Sequence, residues 1–523
     1  MASAHHRLKF AIGVILVAAL ACMYAIGVSA PGVGFSHDDG IYLVTAKALA
    51  TGQGYRIISL PDPLAQTKYP PLFPALLALV WKLYPVFPAN VFAMKLIPLL
   101  AGVIWLGLSY KLLVQEGMSK TGAMGVILLT GGTSWAFFLG TTLFSDTLFA
   151  ALATGALLML RRIEQRGASA LYVCMTGLVI GLTLLTRTSG VALLAAGVVM
   201  LAYKRAFRKA ILLGLVAAAF YAPWVWWTSV HPYSGGRMYA YYTSANYRDW
   251  NIIFGFAPFE KLAVAWGNLI HLAGSPLILL ELPYGFWLFL LVPGGIVMAY
   301  GLFRALAGRR SMTIPSFLIC YFGLLVLWAW PPERFVATVF PLVLFLFWTA
   351  GEKIRNKVWL RWPLVVAAVL AAGYLGAARY GVCRRVIANG ADTNYNWTAM
   401  SSVTAWIQRS TPPDAILVSG LDPVIYLCTG RKALRGFDLD PAALFYSAGK
   451  ERHAAIEPAE MIREIVQSRA TYLVATTIHG GDDILALNRA IVEMLRAKPN
   501  AFRLAYQGPA GYAVYKIDAS SLD

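Results

Sequence analysis

Residues 11–28 form an uninterrupted apolar block, AIGVILVAALACMYAIGV, and the acidic motif His37-Asp38-Asp39-Gly40 follows it closely. A block of this length spans a hydrocarbon core of ~30 Å as an α-helix. It is longer than the apolar region of a signal peptide, so it predicts an uncleaved signal-anchor. Arg7 and Lys9 keep its start in the cytoplasm, which places the acidic motif on the outer face.

The rest of the apolar sequence also falls into helix-length blocks. Only helices or closed barrels span a bilayer, and continuous apolar blocks exclude the alternating pattern of a barrel. The blocks predict about eleven spans in all, the later ones at about 90–114, 122–140, 142–160, 169–186, 188–203, 210–230, 284–305, 312–330, 334–350 and 359–379. The sequence therefore predicts an α-helical polytopic membrane protein.

The distribution of charge indicates a membrane protein rather than one that binds nucleic acid. The chain of 523 residues is 59% hydrophobic and has a net charge of +19, but residues 381–523 hold 15 Lys and Arg against 14 Asp and Glu. The basic excess lies in short loops predicted to face the cytoplasm, which is the positive-inside pattern. We expect a multi-pass protein of the plasma (inner) membrane with no nucleic acid as partner. An odd number of spans places residues 381–523 outside.

Two long outer loops are predicted to lie as helices along the membrane surface. The first, about 31–89, includes an amphipathic segment at 41–51 and an apolar one at 72–84. The second, about 231–283, is rich in Tyr and Trp, which suit the level of the lipid headgroups.

The C-terminal tail has a different pattern from the rest of the chain. Short strand-like runs alternate with amphipathic helical ones, the strands at 415–419, 472–475 and 512–517 and the helices at 457–468 and 483–498. We therefore expect a transmembrane domain at 1–380 and a small extracytoplasmic α/β domain at 381–523. Cys383 and Cys428 both fall in the outer region, where a disulfide is allowed but not required.

Three acids on the predicted outer face are the first candidates for chemistry. Ionisable residues at the edge of a membrane bundle tend to mark function. A carboxylate of Asp38 or Asp39 could take a proton from an attacking hydroxyl or bind a divalent cation. The alternative is that the pair caps a helix that starts at Ile41. Asp146 could line one cavity with Asp38, or cap the helix that follows it.

Three cations depart from the positive-inside pattern, because they too lie on the predicted outer face. Lys68 precedes Tyr69-Pro70-Pro71, while Arg187 and Arg334 lie in turns between apolar blocks. Such cations suit an anionic headgroup, and arginine can bind phosphate through two hydrogen bonds. The alternatives are snorkelling to lipid phosphates for Lys68 and Arg187, and pairing with Glu333 for Arg334. His37 could bind a metal alongside Asp38, but a lone histidine is more often a satisfied surface or core residue, and we assign it no role.

The order of these motifs resembles that of the GT-C glycosyltransferases over roughly residues 9–380. The patterns most similar to it occur in protein O-mannosyltransferases, in aminoarabinose transferases that modify lipid A, and in related bacterial polyprenyl-phosphate-sugar enzymes. The matching segments are Asp38–Tyr42, Ala46–Tyr55, Tyr69–Leu72, Ser145-Asp146, Thr186–Gly190, and Arg334-Phe335 with Pro341. One feature departs from the aminoarabinose transferases: Tyr69 stands where their Lys directly precedes Pro-Pro, and Lys68 is one residue earlier.

The resemblance implies a GT-C-like membrane fold and an inverting transfer of a sugar, hexose or pentose. The donor would be a polyprenyl-phosphate sugar, and the acceptor a glycan, lipid or protein outside the membrane. Asp38 would be the base, with Asp39 and Asp146 shaping the site or orienting the acceptor. Positive charge stabilises a phosphate leaving group. We therefore expect Lys68, Arg187 and Arg334 to bind the substrate. The resemblance implies the same for the motif tyrosines Tyr42 and Tyr69. No cofactor is established, and a divalent cation stays open.

Two other classes of function compete with the enzyme. A transporter of a small anionic or sugar-like solute would place its charges near the middle of the bilayer, often in matching halves. Here the charges gather at the predicted outer rim, and no repeated halves are found. A scaffold whose tail binds partners would leave the Asp38-Asp39 pair without an explanation.

Overall fold

Helices form most of the protein. The computed structural model describes residues 2–30, 32–34, 36–232, 239, 241–243, 258–308, 311–352, 358–389, 397–437, 441–446, 456–476 and 482–522. Within these residues the helices are α1 (Ala2–Ser29), α2 (Asp38–Ala50), α3 (Leu72–Leu83), α4 (Val91–Gln115), α5 (Lys120–Gly132), α6 (Ser134–Thr141), α7 (Asp146–Arg166), α8 (Ala170–Thr186), α9 (Val191–Tyr203), α10 (Phe207–Val230), α11 (Pro258–Leu279), α12 (Tyr284–Ala307), α13 (Thr313–Val326), α14 (Glu333–Ala337), α15 (Phe340–Ala350), α16 (Val358–Asn389), α17 (Trp397–Ser410), α18 (Asp422–Thr429), α19 (Pro441–Tyr446), α20 (Pro458–Gln467) and α21 (Asp482–Ala497).

Several helices have the length and apolar character of membrane spans. In the described part of the chain, four do so alone, namely α4, α10, residues Lys261–Leu279 of α11 and residues Phe289–Ala307 of α12. The pair α5 and α6, bent by 67°, makes a fifth if it is one broken span. Shorter apolar helices occur in α1, α3, α8, α9, α13 and α15. Each predicted span overlaps at least one of the observed helices. The protein is therefore a multi-pass membrane protein.

The second long loop differs from its prediction. Residues 231–283 were expected to form a surface loop, but they include α11, most of which is long and apolar enough to cross a membrane. The sequence conceals this helix because Asn268 and His271 interrupt its apolar run. Both have partners: Asn268 donates to the carbonyl of Trp328 at 2.6 Å, and His271 pairs with Glu333. Residues 233–238, 240 and 244–257 of this loop lie outside the described residues.

The chain divides into two compact units. The first comprises Met1–Ser29, Lys95–Val225 and Ala265–Arg384, and the second comprises Ala30–Met94, Trp226–Val264 and Arg385–Asp523. The core of the first unit is formed by apolar side chains of several helices, among them Phe149 of α7, Leu193 of α9, Phe317 of α13 and Phe340 of α15, all of them fully buried.

Buried ion pairs join the segments around α7 in the first unit. Arg161 contacts Glu116 at 2.5 Å and Glu164 at 3.1 Å. Glu164 also accepts a hydrogen bond from the backbone nitrogen of Met312 at 2.6 Å and one from the hydroxyl of Thr313 at 2.8 Å. Two of the acids in the predicted cytoplasmic loops therefore hold the helix ends together.

The second unit contains the sheet that the tail pattern predicted. Five predicted elements of the tail are present, each within one residue of its predicted range. They are the strands β3 (Ile416–Ser419), β5 (Tyr472–Ala475) and β7 (Ala513–Ile517) and the helices α20 and α21. The sequence missed β4 (Lys432–Leu434), which is only three residues long, and β6 (Phe502–Gln507), whose exposed residues do not alternate with buried ones. The order is β4-β3-β5-β7-β6, with β3 parallel to both of its neighbours and β7 antiparallel to both of its own.

The first long loop also belongs to the second unit. It contributes the short strands β1 (Arg56–Ile57) and β2 (Leu64–Ala65) as well as the expected helices α2 and α3. Within this unit α2 is covered, because α3, β1 and α18 pack against it and all of residues 39–46 are buried. The backbone nitrogen of Ala433 in β4 donates to the carbonyl of Ser59, which joins this loop to the sheet. The five cysteines all lie in the described part of the chain, and each is a free thiol, so Cys383 and Cys428 are not bridged.

Candidate active site

The acidic motif forms the first turn of α2 in the second unit, where the two carboxylates have different environments. Asp39 is buried, and its oxygens accept hydrogen bonds from the backbone nitrogens of Gly34 at 2.6 Å and Ser36 at 3.1 Å. Burial raises the pKa of Asp39 to about 6, and the two backbone donors oppose that rise. Asp39 therefore holds the loop before α2 in place.

Asp38 is only half-buried and is held by a tyrosine from the first long loop. The hydroxyl of Tyr69 donates to Oδ1 of Asp38 at 2.5 Å. The ring of Tyr69 packs against Tyr42 with centroids 4.8 Å apart, and Tyr42 in turn contacts Phe73. The structure thus brings together three of the predicted site residues. The environments of the two acids differ, since Asp38 accepts from a tyrosine hydroxyl and Asp39 accepts from the loop backbone.

A glutamine that the sequence analysis did not identify positions Tyr69. Oε1 of Gln66 accepts from the backbone nitrogens of Lys68 at 2.9 Å and Tyr69 at 3.2 Å, while its Nε2 donates to the hydroxyl of Thr45 at 3.2 Å. Gln66 is fully buried. It therefore fixes the turn that carries Lys68 and Tyr69 against α2.

Lys68 is buried beside the same site. Its Nζ donates to the carbonyl of Tyr241 at 2.8 Å and lies 3.8 Å from the centroid of the Tyr241 ring. Burial lowers the pKa of Lys68 to about 7; the charge of Asp38 opposes this, and Arg435 adds to it. This burial contradicts the alternative in which Lys68 snorkels to lipid phosphates.

The tail adds residues that the sequence analysis missed. Oδ1 of Asp422 lies 3.1 Å from Nε2 of His37, and Oδ2 of Asp422 accepts from the hydroxyl of Tyr242 at 3.0 Å. The Tyr242 hydroxyl accepts from the backbone nitrogen of Arg435 at 2.8 Å. His37, to which the sequence assigned no role, is thus a buried residue with a partner in the tail. Tyr242 is also buried rather than placed at the headgroup level.

A signal for these residues was present in the tail pattern. Asp422 follows the carboxyl end of β3, and Arg435 follows that of β4, its parallel neighbour. Side chains that come after the carboxyl ends of parallel strands commonly form binding sites in α/β folds. The sequence analysis predicted β3 but not β4, so the shared edge could not be recognised.

Two glycines allow α18 to approach the acidic motif closely. A Cβ on Gly40 would lie 2.7 Å from Cβ of Pro423, and one on Gly34 would lie 2.1 Å from Cγ2 of Val424. Gly34 also has a φ of +81°, which favours glycine. Glycine is therefore required at the last position of the acidic motif, because a side chain there would clash with α18.

The first unit contains a separate cluster around Asp146. This acid is fully buried at the start of α7, and its Oδ2 lies 2.7 Å from NH1 of Arg187 and 2.9 Å from NH2 of Arg334. Nε of Arg334 lies 3.3 Å from Oδ1, so this arginine contacts both oxygens. Asp146 is not the N-cap of α7, which is Ser145. The two predicted cations and the predicted acid thus form one group.

Aromatic rings support both arginines. The guanidinium of Arg334 lies 4.3 Å from the centroid of Phe144, and that of Arg187 lies 4.9 Å from the centroid of Phe335. Glu333, the alternative partner considered for Arg334, pairs with His271 instead. The arginine side chains keep 15% and 21% of their surface exposed. With two cations and one carboxylate, the cluster has an excess of positive charge.

The described residues contain no group of three or more His, Cys, Asp or Glu side chains arranged to hold a metal ion. The predicted contact of Asp38 and Asp146 with one cavity stays a prediction, because they belong to different units.

Comparison with known proteins identifies the fold. No protein-family model matches the chain, and no curated protein matches it in sequence. Among solved structures, ArnT from Cupriavidus metallidurans bound to undecaprenyl phosphate is 13% identical and has a TM-score of 0.53, with 97% of this chain and 98% of that chain covered. The Archaeoglobus fulgidus oligosaccharyltransferase in complex with Zn and sulfate is 16% identical and has a TM-score of 0.55, with 95% and 72% covered. The chain therefore has the GT-C fold, as the order of its sequence motifs predicted.

Proposed function

We propose that the protein is an inverting glycosyltransferase that moves a sugar from a polyprenyl-phosphate carrier to a glycan, lipid or protein on the extracytoplasmic face of the plasma membrane. The observation that carries the proposal is the half-buried carboxylate of Asp38, held at 2.5 Å by Tyr69 at the start of α2. The fold shared with ArnT, a protein solved with undecaprenyl phosphate bound, supports a lipid-phosphate donor.

In the proposed reaction, Asp38 acts as a general base. The acceptor oxygen attacks the anomeric carbon from the side opposite the phosphate, and its proton passes to the carboxylate of Asp38. The bond between the anomeric carbon and the phosphate oxygen breaks, and the polyprenyl phosphate leaves with the electron pair. A single displacement of this kind inverts the anomeric configuration. Tyr69 keeps the carboxylate in one orientation, while Tyr42 and Tyr69 contact the substrate.

Positive side chains stabilise the leaving phosphate in this proposal. Preorganised cations are effective where negative charge develops in a transition state. Arg187 and Arg334 are held in place by Asp146 and their rings, yet both remain partly exposed. Lys68 supplies a further charge when it is protonated. Asp39 shapes the site through the loop that it holds.

The proposed membrane topology has about eleven spans, with residues 1–380 as the transmembrane domain and residues 381–523 outside. The short basic loops support this arrangement. One further crossing at α11 would reverse the predicted side of every later loop. Protease cleavage of the tail in intact spheroplasts tests the orientation, and a protected tail would overturn it.

The activity is tested with the purified full-length chain in lipid nanodiscs. A panel of undecaprenyl-phosphate hexoses and pentoses is supplied with lipid and glycan fractions from a deletion strain, and mass spectrometry identifies the product. A glycosylated product that requires Asp38 supports the proposal. Uptake of a solute into proteoliposomes without any glycosylated product would support the transporter instead, which the structural comparisons do not favour.

A further inference from the structure

His37 occupies a buried polar shell beside Asp38, and the proposed reaction gives it no task. The residue is only 6% exposed, and its Nε2 lies 3.1 Å from the fully buried carboxylate of Asp422. Asp422 comes from the tail helix α18, whereas His37 immediately precedes α2. Two segments far apart in sequence therefore fix one imidazole next to the proposed base.

The hydrogen bonds around Asp422 determine which nitrogen of His37 carries the proton. The Tyr242 hydroxyl accepts from the backbone nitrogen of Arg435, so it directs its own proton to Oδ2 of Asp422. A carboxylate can only accept hydrogen bonds. His37 therefore donates from Nε2 to Oδ1, and its Nδ1 carries the lone pair.

This Nδ1 is poised to accept a hydrogen bond. It is buried, and none of the described residues hydrogen-bonds to it. The rings of Tyr241 and Tyr242 flank the imidazole, with centroids at 5.4 Å and 5.5 Å. Burial lowers the pKa of His37, the contact with Asp422 opposes that effect, and the nearby Arg435 and Lys68 add to it. The imidazole is thus kept in the neutral form that has a lone pair at Nδ1.

We propose that His37, oriented by Asp422, accepts a hydrogen bond at Nδ1 from a hydroxyl group of the substrate and so positions that substrate beside Asp38. The inference rests on the proposed function and adds a substrate contact to it. The hydroxyl belongs either to the transferred sugar or to the acceptor. Both offer the same chemistry, namely an O–H group that donates to an imidazole nitrogen.

The kinetic test uses the full-length chain in nanodiscs with the undecaprenyl-phosphate sugar that the panel identifies. His37→Asn is the main variant, because His37 has a φ of 59° and asparagine tolerates positive φ better than most residues. We expect kcat/KM to fall about 10–100-fold, as when a buried hydrogen bond is lost. Asp422→Asn and Tyr242→Phe are expected to give smaller losses. His231→Asn is the matched control, since the His231 ring hydrogen-bonds to the carbonyl of Trp227 and the proposed reaction gives it no task, so it should behave as wild type.

Deoxy analogues then distinguish the two sources of the hydroxyl. If the sugar supplies the hydroxyl, removing that hydroxyl from the donor should lower kcat/KM for wild type. The same deoxy donor should have the same kcat/KM as the complete donor in His37→Asn, because the variant has already lost the contact. If the acceptor supplies it, the same pattern appears with a deoxy acceptor instead. Undecaprenyl phosphate alone has no sugar hydroxyl, so the variant should bind it as tightly as wild type does.

A spectroscopic test does not depend on turnover. In protein labelled with ¹⁵N-histidine, the Nδ1 resonance of His37 is assigned as the one that is missing from the spectrum of His37→Asn. We expect this resonance to shift when the donor or the acceptor is added, but not when undecaprenyl phosphate is added. No shift with either substrate, or wild-type kcat/KM in His37→Asn, would overturn the inference. If Asp38→Asn loses activity while His37→Asn keeps it, the inference is wrong but the proposed function is still supported. If Asp38→Asn keeps full activity, the proposed function is itself contradicted.

Discussion

The hydroxyl of Tyr69 donates a 2.5 Å hydrogen bond to Oδ1 of Asp38 across 31 residues of sequence. The bond joins the two most recognisable motifs of the chain, the acidic motif and the Lys68-Tyr69-Pro70-Pro71 turn. Gln66 holds the turn from behind through two backbone nitrogens. Asp38 is therefore fixed in orientation while it remains half-buried, which is the condition a general base must satisfy.

Asp38→Asn is expected to lower the rate of sugar transfer about 10²–10⁴-fold, the usual contribution of a general base. The amide keeps the shape of the side chain and can still accept from Tyr69, so binding of undecaprenyl phosphate should be unchanged. Single-turnover transfer and lipid binding are measured on the same preparation. The control is Asp62→Asn, which alters an exposed acid of the same loop. Equal rates in the Asp38 and Asp62 variants would contradict the assignment of the base.

Tyr69→Phe should lower kcat about tenfold, the effect of losing one hydrogen bond to a carboxylate. The ring remains packed on Tyr42, so the KM for the donor should change little. Steady-state kinetics separate the two parameters. Tyr84→Phe serves as the control because Tyr84 is an exposed tyrosine of the same unit. A raised KM with an unchanged kcat would show that Tyr69 binds substrate without orienting the base.

Transfer is expected to fall as the pH rises through about 7, because the pKa of Lys68 is lowered to about 7 and the side chain is charged only below that pH. Lys68→Arg keeps its charge at every working pH and should remove this decline. Lys68→Met should be slow throughout. Rates from pH 6 to 9 test the prediction, with Lys82→Arg, an exposed position, as control. If the transfer rate of Lys68→Arg still falls at alkaline pH, the decline is caused by another group.

Asp146→Asn should destabilise the first unit by about 3–5 kcal/mol, because it leaves two arginines beside each other without their buried partner. Thermal unfolding in nanodiscs measures the change. Arg334→Lys keeps the charge but loses the contact with both oxygens of Asp146, so we expect a smaller loss of stability and weaker binding of undecaprenyl phosphate. Arg304→Lys, in a partly exposed pair with Glu352, is the matched control. If Asp146→Asn is as stable as wild type, the ion cluster does not stabilise the first unit.

Gly40→Ala should destabilise the second unit by about 1–3 kcal/mol, because the new Cβ meets Pro423 at 2.7 Å in a packed region. Transfer should fall as well, since α18 would move away from the acidic motif. Gly107→Ala has open space around it and is expected to be neutral or stabilising. Unfolding midpoints and transfer rates are compared for the two variants, and an unaffected Gly40→Ala protein would contradict the close packing.

The accuracy of the sequence predictions followed the strength of the local pattern. Long apolar blocks placed most membrane helices, and short apolar runs placed β3, β5 and β7. The predictions failed where polar residues interrupt a helix, as Asn268 and His271 do in α11, or where a strand is as short as β4. The motif order identified Asp38, Tyr42 and Tyr69, because a helix start and a Pro-Pro turn are local features.

By itself, the sequence determined the membrane class and the GT-C fold, and it singled out the acids and cations that we propose for transfer. These depend on runs of residues and on motifs that each lie within a few positions. Only the tertiary structure decided that His37 meets Asp422, that Tyr242 and Arg435 join them, and that Arg187 and Arg334 share Asp146. These contacts join residues 41 to 385 positions apart, and hydrogen bonds over such separations depend on packing that no local pattern encodes.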